Sequence, residues 1–108
     1  MLDKCIKAAK AFMKKTNDEY KFVEQIDKDV LVFKSDDSYQ FIKILVKQHA
    51  NSFNELTDDM RSDMERIMIT WFMENKDECA VDIPMILSVI SFNIISEDRA
   101  IIRYHYNV

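Results

Sequence analysis

Apolar residues recur at helical spacing in two stretches of the chain. Near the start they are separated by three or four positions, which predicts an amphipathic helix over residues 2–15. A longer stripe with the same spacing predicts a second helix over about residues 53–75, opened by a capping box in which a serine precedes a glutamate by three positions. The apolar positions of this second helix are Leu56, Met60, Met64, Ile67, Met68, Trp71 and Phe72.

Short stretches of β-branched and aromatic residues predict strands before and after the second helix. These strands span residues 20–25, 30–34, 39–47, 84–95 and 100–106. The fourth is apolar on both alternating faces, as expected for a central strand that is covered on both sides. The order αβββαββ predicts an α/β fold in a single domain over residues 1–108, with a mixed sheet of about five strands flanked by helices.

The absence of glycine from all 108 residues excludes several kinds of functional site. Phosphate-binding loops, dinucleotide fingerprints and nucleophile elbows need glycine where the backbone meets a ligand or turns sharply. The predicted turns contain Asp, Asn and Ser instead. We expect their side chains to bond back to the main chain, and their backbone to adopt the left-handed conformation that glycine usually supplies.

Charge and hydropathy narrow the partners further. The net charge is -4, which argues against broad nonspecific phosphate binding but leaves a local basic patch open. The longest apolar stretch, residues 83–95, is too short to span a bilayer, so we expect a soluble, cytoplasmic protein with no membrane partner.

Cys5 and Cys79 lack a CxxC partner and are expected to be packed thiols. His49 and His105 lack a suitably spaced third ligand for a metal.

Several local motifs accompany this order of elements. They lie at residues 6–13 in the first helix, 19–23 in the first strand, 25–27 or the nearby Asp29, 39–47 in the third strand, 52–53 before the second helix, and 81–95 in the fourth strand. Together they resemble the YraN-like family of small endonuclease-like proteins over nearly the whole chain. The resemblance implies a restriction-endonuclease-like fold and a site for Mg²⁺-dependent cleavage of a phosphodiester bond.

The catalytic pair of that family is missing from the third strand. In the family an acidic residue and a lysine lie two positions apart, so both side chains leave the same face of the strand. The acid holds Mg²⁺ and the lysine positions the attacking water. Two alignments put Lys43 and Leu45, or Ile44 and Val46, at these positions. Because neither pair contains an acid, the resemblance implies a catalytically inactive relative, a pseudoenzyme, that holds no cofactor.

Four residues are candidates for what remains of the site. Asp27 and Asp29 are either residual metal ligands or residues of an ordinary Asp-rich turn. Lys43 and Lys47 share a strand face, and they either contact a phosphate or an acidic partner or form a solvated face.

Three functions remain open. The first is a diverged, inactive endonuclease-like protein that binds a nucleic acid or a protein, as a monomer or a homodimer. The second is an active Mg²⁺-dependent nuclease with a rearranged site, which uses Asp27 or Asp29 with another carboxylate such as Glu24. The third is a small acidic module that binds a basic partner through the second helix, whose acidic side chains are Asp58, Asp59, Asp63 and Glu65.

Overall fold

The computed structural model describes residues 1–48, 54–76 and 83–108. Over these residues two helices and five strands follow one another in the order αβββαββ, which confirms the predicted order and the α/β class. The elements are α1 (Leu2–Thr16), β1 (Lys21–Asp27), β2 (Val30–Lys34), β3 (Tyr39–Gln48), α2 (Asp58–Asn75), β4 (Met85–Ser96) and β5 (Arg99–His105).

The five strands form one mixed sheet in the order β1-β2-β3-β4-β5. Neighbouring strands are antiparallel except β3 and β4, which run parallel from the pair Tyr39 and Met85 to the pair Gln48 and Ile94. A parallel pair cannot be closed by a tight turn and needs a long crossover connection. The segment that contains α2 makes this connection, whereas short turns join the antiparallel neighbours.

Each helix covers one face of the sheet. Because side chains alternate between the two faces along every strand, one strand can contribute residues to both faces. The face that packs on α1, called the α1 face, contributes Leu31, Phe33, Ile42, Ile44, Ile90, Phe92 and Ile94 to a buried cluster. The face that packs on α2, called the α2 face, contributes Val30, Val32, Tyr39, Phe41 and Leu87 to a second cluster. Since β4 supplies residues to both clusters, the prediction that its two faces are apolar is confirmed.

The second helix begins later than predicted. Residues 54–57 have no helical structure, so the predicted start near residue 53 is wrong. The N-cap is Thr57, whose side-chain oxygen accepts the amide hydrogen of Met60 at 3.2 Å. Two aspartates follow in the first turn, where their negative charge interacts favourably with the helix dipole. Together with the cap, they favour a helix start at this position over the predicted one. Ser52 and Phe53 of the predicted capping box lie outside the described residues.

The turns work without glycine by means of side-chain hydrogen bonds rather than left-handed backbone. Asp27 Oδ1 accepts the amide hydrogen of Lys28 at 2.8 Å, and Ser35 Oγ accepts that of Asp37 at 3.2 Å, as predicted. Among the residues described, only Asn107 has a positive φ, of 56°, so the predicted left-handed turns are wrong. Polar side chains supply the turn hydrogen bonds, and the backbone stays in regions open to any residue.

Candidate functional site

The structure brings together two of the four residues predicted for the degenerate site. Asp29 lies in the turn just before β2, and Lys43 lies on β3 on the α2 face. Asp27 ends β1, and its exposed carboxylate is used in the turn. Lys47 shares the strand face of Lys43, as predicted, but lies four positions farther along β3, about 13 Å at the usual rise of a strand.

Asp29 and Lys43 form a largely buried ion pair. Lys43 Nζ lies 2.7 Å from Asp29 Oδ2, and each side chain is only 17% exposed. The pairing of β2 with β3 fixes this contact, because Val30 lies opposite Lys43 and the amide of Ile44 donates to the carbonyl of Asp29 at 2.8 Å. Asp29 Oδ1 is also buried and accepts no hydrogen bond from the described residues. Lys43 is therefore the sole described group that compensates the charge of this carboxylate.

This arrangement is poorly suited to a divalent metal. Mg²⁺ takes several oxygen ligands, whereas here a single carboxylate is already neutralised by an ammonium group 2.7 Å away. Glu24, the other carboxylate considered for a rearranged site, accepts the indole N–H of Trp71 at 2.5 Å instead. In the parts of the chain that the structure describes, no group of three or more His, Cys, Asp or Glu side chains is placed to hold a metal. The absence of a cofactor stays a prediction.

The structure describes two of the remaining candidates from the sequence, Cys5 and His105, and they lie on different elements. Cys5 is buried in the cluster on α1, and burial raises the pKa of its thiol, which disfavours the reactive thiolate. His105 is exposed at the end of β5. Cys79 and His49 lie outside the described residues.

The acidic surface of α2 is solvent-exposed, as the third function requires. Its four acidic side chains are Asp58, Asp59, Asp63 and Glu65. One of them, Asp63, accepts a hydrogen bond from Arg66 at 2.9 Å, and both partners of this ion pair are more than half exposed. Exposed pairs of this kind contribute little to stability, so this surface is available for contact with a partner.

A second polar site was not identified from the sequence. Tyr20, Tyr104 and Tyr106 line a cavity of about 410 Å³. The other lining residues are Asn17, Glu19, Ser35, Asp37 and Ser38. These tyrosines come from just before β1, from β5 and from just after β5. The spacing of two positions relates Tyr104 to Tyr106, but no local spacing connects either of them with Tyr20. Only the sheet, in which distant segments meet, brings them to one cavity.

Hydrogen bonds to buried side chains hold the hydroxyl groups of Tyr20 and Tyr104. The hydroxyls of Tyr20 and Ser38 lie 2.5 Å apart, and both residues are buried. The Tyr104 hydroxyl donates to Oε1 of Gln40 at 2.5 Å, and Gln40 is fully buried. Burial raises the pKa of Tyr104 to about 12. A hydrogen bond with Tyr20 raises the pKa of Tyr106. Tyr104 and Tyr106 are therefore neutral near pH 7.

We expect the raised pKa of Tyr104 to reduce stability at high pH. The pKa rises from the ordinary 10.0 to about 12 on folding, so the folded state holds this proton more tightly than the unfolded state. The resulting stability is fully present below pH 10 and is lost as the pH rises to about 12. Urea denaturation from about pH 9 to about pH 11.5 measures this loss. The decline should be shallower in Tyr104→Phe, and parallel curves for the two proteins would contradict the assignment.

No protein-family model, curated protein or solved structure matches the chain. The fold and the site define an α/β protein with a five-stranded mixed sheet between two helices. It has a largely buried ion pair on the α2 face. No helix of the described segments is long and apolar enough to cross a membrane.

Proposed function

We propose that this chain is a diverged endonuclease-like protein that has lost catalysis and acts as a binding module. The ion pair between Lys43 and Asp29 is the observation that carries the proposal. One of the two alignments with the YraN-like family puts Lys43 at the position of the metal-binding glutamate. A cation at that position, bonded to a neighbouring carboxylate, takes the place of the metal and repels a second positive charge.

A restriction-endonuclease-like fold is part of the proposal. It is supported by the order αβββαββ and by the mixed sheet with helices on both faces, together with the local motifs of the resemblance. The geometry also favours the alignment through Lys43 over the one through Ile44. Ile44 is buried in the apolar cluster on the α1 face, whereas Lys43 lies on the opposite face beside the Asp29 carboxylate.

The charge distribution favours a protein over a nucleic acid as the bound partner. The chain carries a net charge of -4, and the ammonium group of Lys43 is engaged by Asp29 rather than presented to solvent. Nucleic-acid affinity depends largely on cationic groups that are free to neutralise phosphates. Exposed acidic side chains on α2 would further repel a phosphate backbone.

A gain of metal binding tests the proposed origin of the ion pair. Lys43→Glu places a second carboxylate beside Asp29, so Mn²⁺ should relieve the repulsion and raise the melting temperature of this variant. The wild type and Lys43→Gln, the neutral control of similar size, should show no Mn²⁺-dependent shift. Differential scanning fluorimetry with and without Mn²⁺ measures it. An unchanged Lys43→Glu melting temperature would contradict the metal-site origin of the pair.

Two assays on the wild-type protein test the functional part of the proposal. With Mg²⁺ or Mn²⁺, we expect no cleavage of single-stranded, duplex or branched DNA. Metal-dependent cleavage that is lost in Asp29→Ala would overturn the inactive assignment in favour of the rearranged nuclease. Oligonucleotide binding tighter than about 1 μM at physiological salt would contradict a protein partner.

A further inference from the structure

The tyrosine cavity has the composition of a site for an organic cation. It is lined by Tyr20, Tyr104 and Tyr106 and by two carboxylate residues, Glu19 and Asp37. None of the described lining residues is basic. The negative face of an aromatic ring attracts a cation that lies over it, and nearby carboxylates strengthen the attraction.

The arrangement of the rings favours a rounded ligand over a flat one. The centroids of Tyr104 and Tyr106 are 6.4 Å apart, and the ring planes are inclined by 60°. Inclined rings form two walls of a corner, whereas a sugar or a nucleobase stacks best on a single flat platform. A trimethylammonium group is nearly spherical and can contact several rings at once.

The cavity is held in shape before any ligand arrives. Two contacts hold the Tyr104 side chain. Phe12 packs edge-on against its ring, with ring centroids 5.7 Å apart, and Gln40 accepts a hydrogen bond from its hydroxyl group. Gln40 Nε2 is buried and makes no hydrogen bond to the described residues. Because Tyr20 is fixed by Ser38, two of the three rings lose little freedom on binding.

Basic side chains lie outside this cavity but close to it. Lys21 and Lys34 line an adjoining cavity, which shares Glu19 and Asp37 with the tyrosine cavity. The ammonium group of Lys34 is directed to another aromatic ring, since its Nζ lies 5.5 Å from the ring centroid of Tyr39. Glu19 and Asp37 therefore line both cavities, with the three tyrosines in one and the two lysines in the other.

We propose that the tyrosine cavity binds a small quaternary ammonium compound, with the trimethylammonium group against Tyr104 and Tyr106 and its charge balanced by Glu19 and Asp37. The ligand is a free compound without an attached anion, because the two carboxylates repel a phosphate. A free choline-like molecule fits this description better than a phosphocholine headgroup. The volume of about 410 Å³ is sufficient for the whole of such a molecule.

Titration of the full chain with choline tests the proposal. We expect saturable shifts of the NMR resonances of the three tyrosine rings, with a Kd on the order of 1 mM. The neutral isostere 3,3-dimethylbutan-1-ol should bind at least about fivefold more weakly, because it lacks the charge. Phosphocholine should also bind more weakly than choline. Equal binding of choline and the isostere, or preferred binding of phosphocholine, would overturn the proposal.

Two matched pairs of variants separate the ring of Tyr106 from its hydroxyl group and the carboxylate of Asp37 from that of its neighbour. Tyr106 is 51% exposed, so its replacement should leave the fold intact. Tyr106→Ala should weaken choline binding about fivefold or more, whereas Tyr106→Phe, which keeps the ring, should stay within about threefold. Asp37→Asn should weaken binding, and Asp36→Asn, at the adjacent exposed position outside the cavity, should not. Equal effects in either matched pair would contradict the site.

Discussion

Replacing Lys43 by methionine is expected to lower the free energy of unfolding by about 3 kcal/mol. The substitution keeps most of the side-chain volume but leaves the Asp29 carboxylate largely buried without its cation. Asp29 Oδ1 accepts no hydrogen bond from the described residues, so the carboxylate keeps no described hydrogen-bond donor once the lysine is removed. This loss of stability should lie at the low end of the range for removing one partner of a buried ion pair, because each side chain is still 17% exposed. Urea denaturation followed by circular dichroism measures it.

Removing both charges should restore much of this stability. In the double variant Asp29→Asn with Lys43→Met no unpaired charge remains, so we expect recovery of about half the loss or more. Arg66→Met is the matched control, because the Arg66–Asp63 pair has a similar separation of 2.9 Å but side chains that are 74% and 66% exposed. Its cost should be below about 0.5 kcal/mol. A similarly small cost for Lys43→Met would mean that water screens the Asp29 pair.

Replacing Trp71 by alanine is expected to lower the free energy of unfolding by about 4 kcal/mol. Trp71 is 6% exposed and anchors α2 to the sheet. Its ring centroid lies 5.4 Å from those of both Tyr39 and Phe41, in edge-to-face geometry. The truncation removes this contact area and leaves a cavity between helix and sheet. Since Trp71 is the one tryptophan of the chain, unfolding must be followed by circular dichroism rather than by tryptophan fluorescence.

Two further variants show which part of Trp71 matters. Trp71→Phe keeps a ring but loses the hydrogen bond to Glu24, and we expect a cost of about 1–2 kcal/mol, because Glu24 is exposed and can be hydrated. Ile69→Ala, on the same helix but 60% exposed, should cost less than about 0.5 kcal/mol. If Trp71→Ala cost no more than Ile69→Ala, the packing of α2 on the sheet would have to be different.

The elements themselves could be predicted because their signals are local. Strand β2 was predicted with its observed bounds from its β-branched and aromatic residues, and α1 was predicted within one residue from the spacing of its apolar side chains. The start of α2 could not be predicted this way, because Ser52 and Thr57 both offer a capping side chain near the first apolar positions of the helix. Thr57 is the observed N-cap, and its two following aspartates add favourable helix-dipole interactions that the apolar pattern does not register.

The candidate sites depended far more on tertiary structure. Asp29 and Lys43 could be named from the sequence, but not their contact, because it depends on the register that places Val30 opposite Lys43. A shift of one residue would turn Lys43 to the α1 face. The sequence places Tyr104 and Tyr106 two positions apart, but nothing in it connects them with Tyr20. Tyr20 and Tyr106 lie near opposite ends of the chain, and only packing in the fold brings them together.

By itself, then, the sequence determined the order of elements, the two apolar faces of β4, the absence of glycine-dependent sites and the lack of an acid-x-lysine pair in residues 39–47. These are properties of spacing and residue type within one segment. Tertiary structure alone decided that a lysine neutralises Asp29, and that three tyrosines line one cavity beside two carboxylates. Such contacts are set by strand register and by the packing of helices on the sheet, which join residues whose separation along the chain carries no periodic signal.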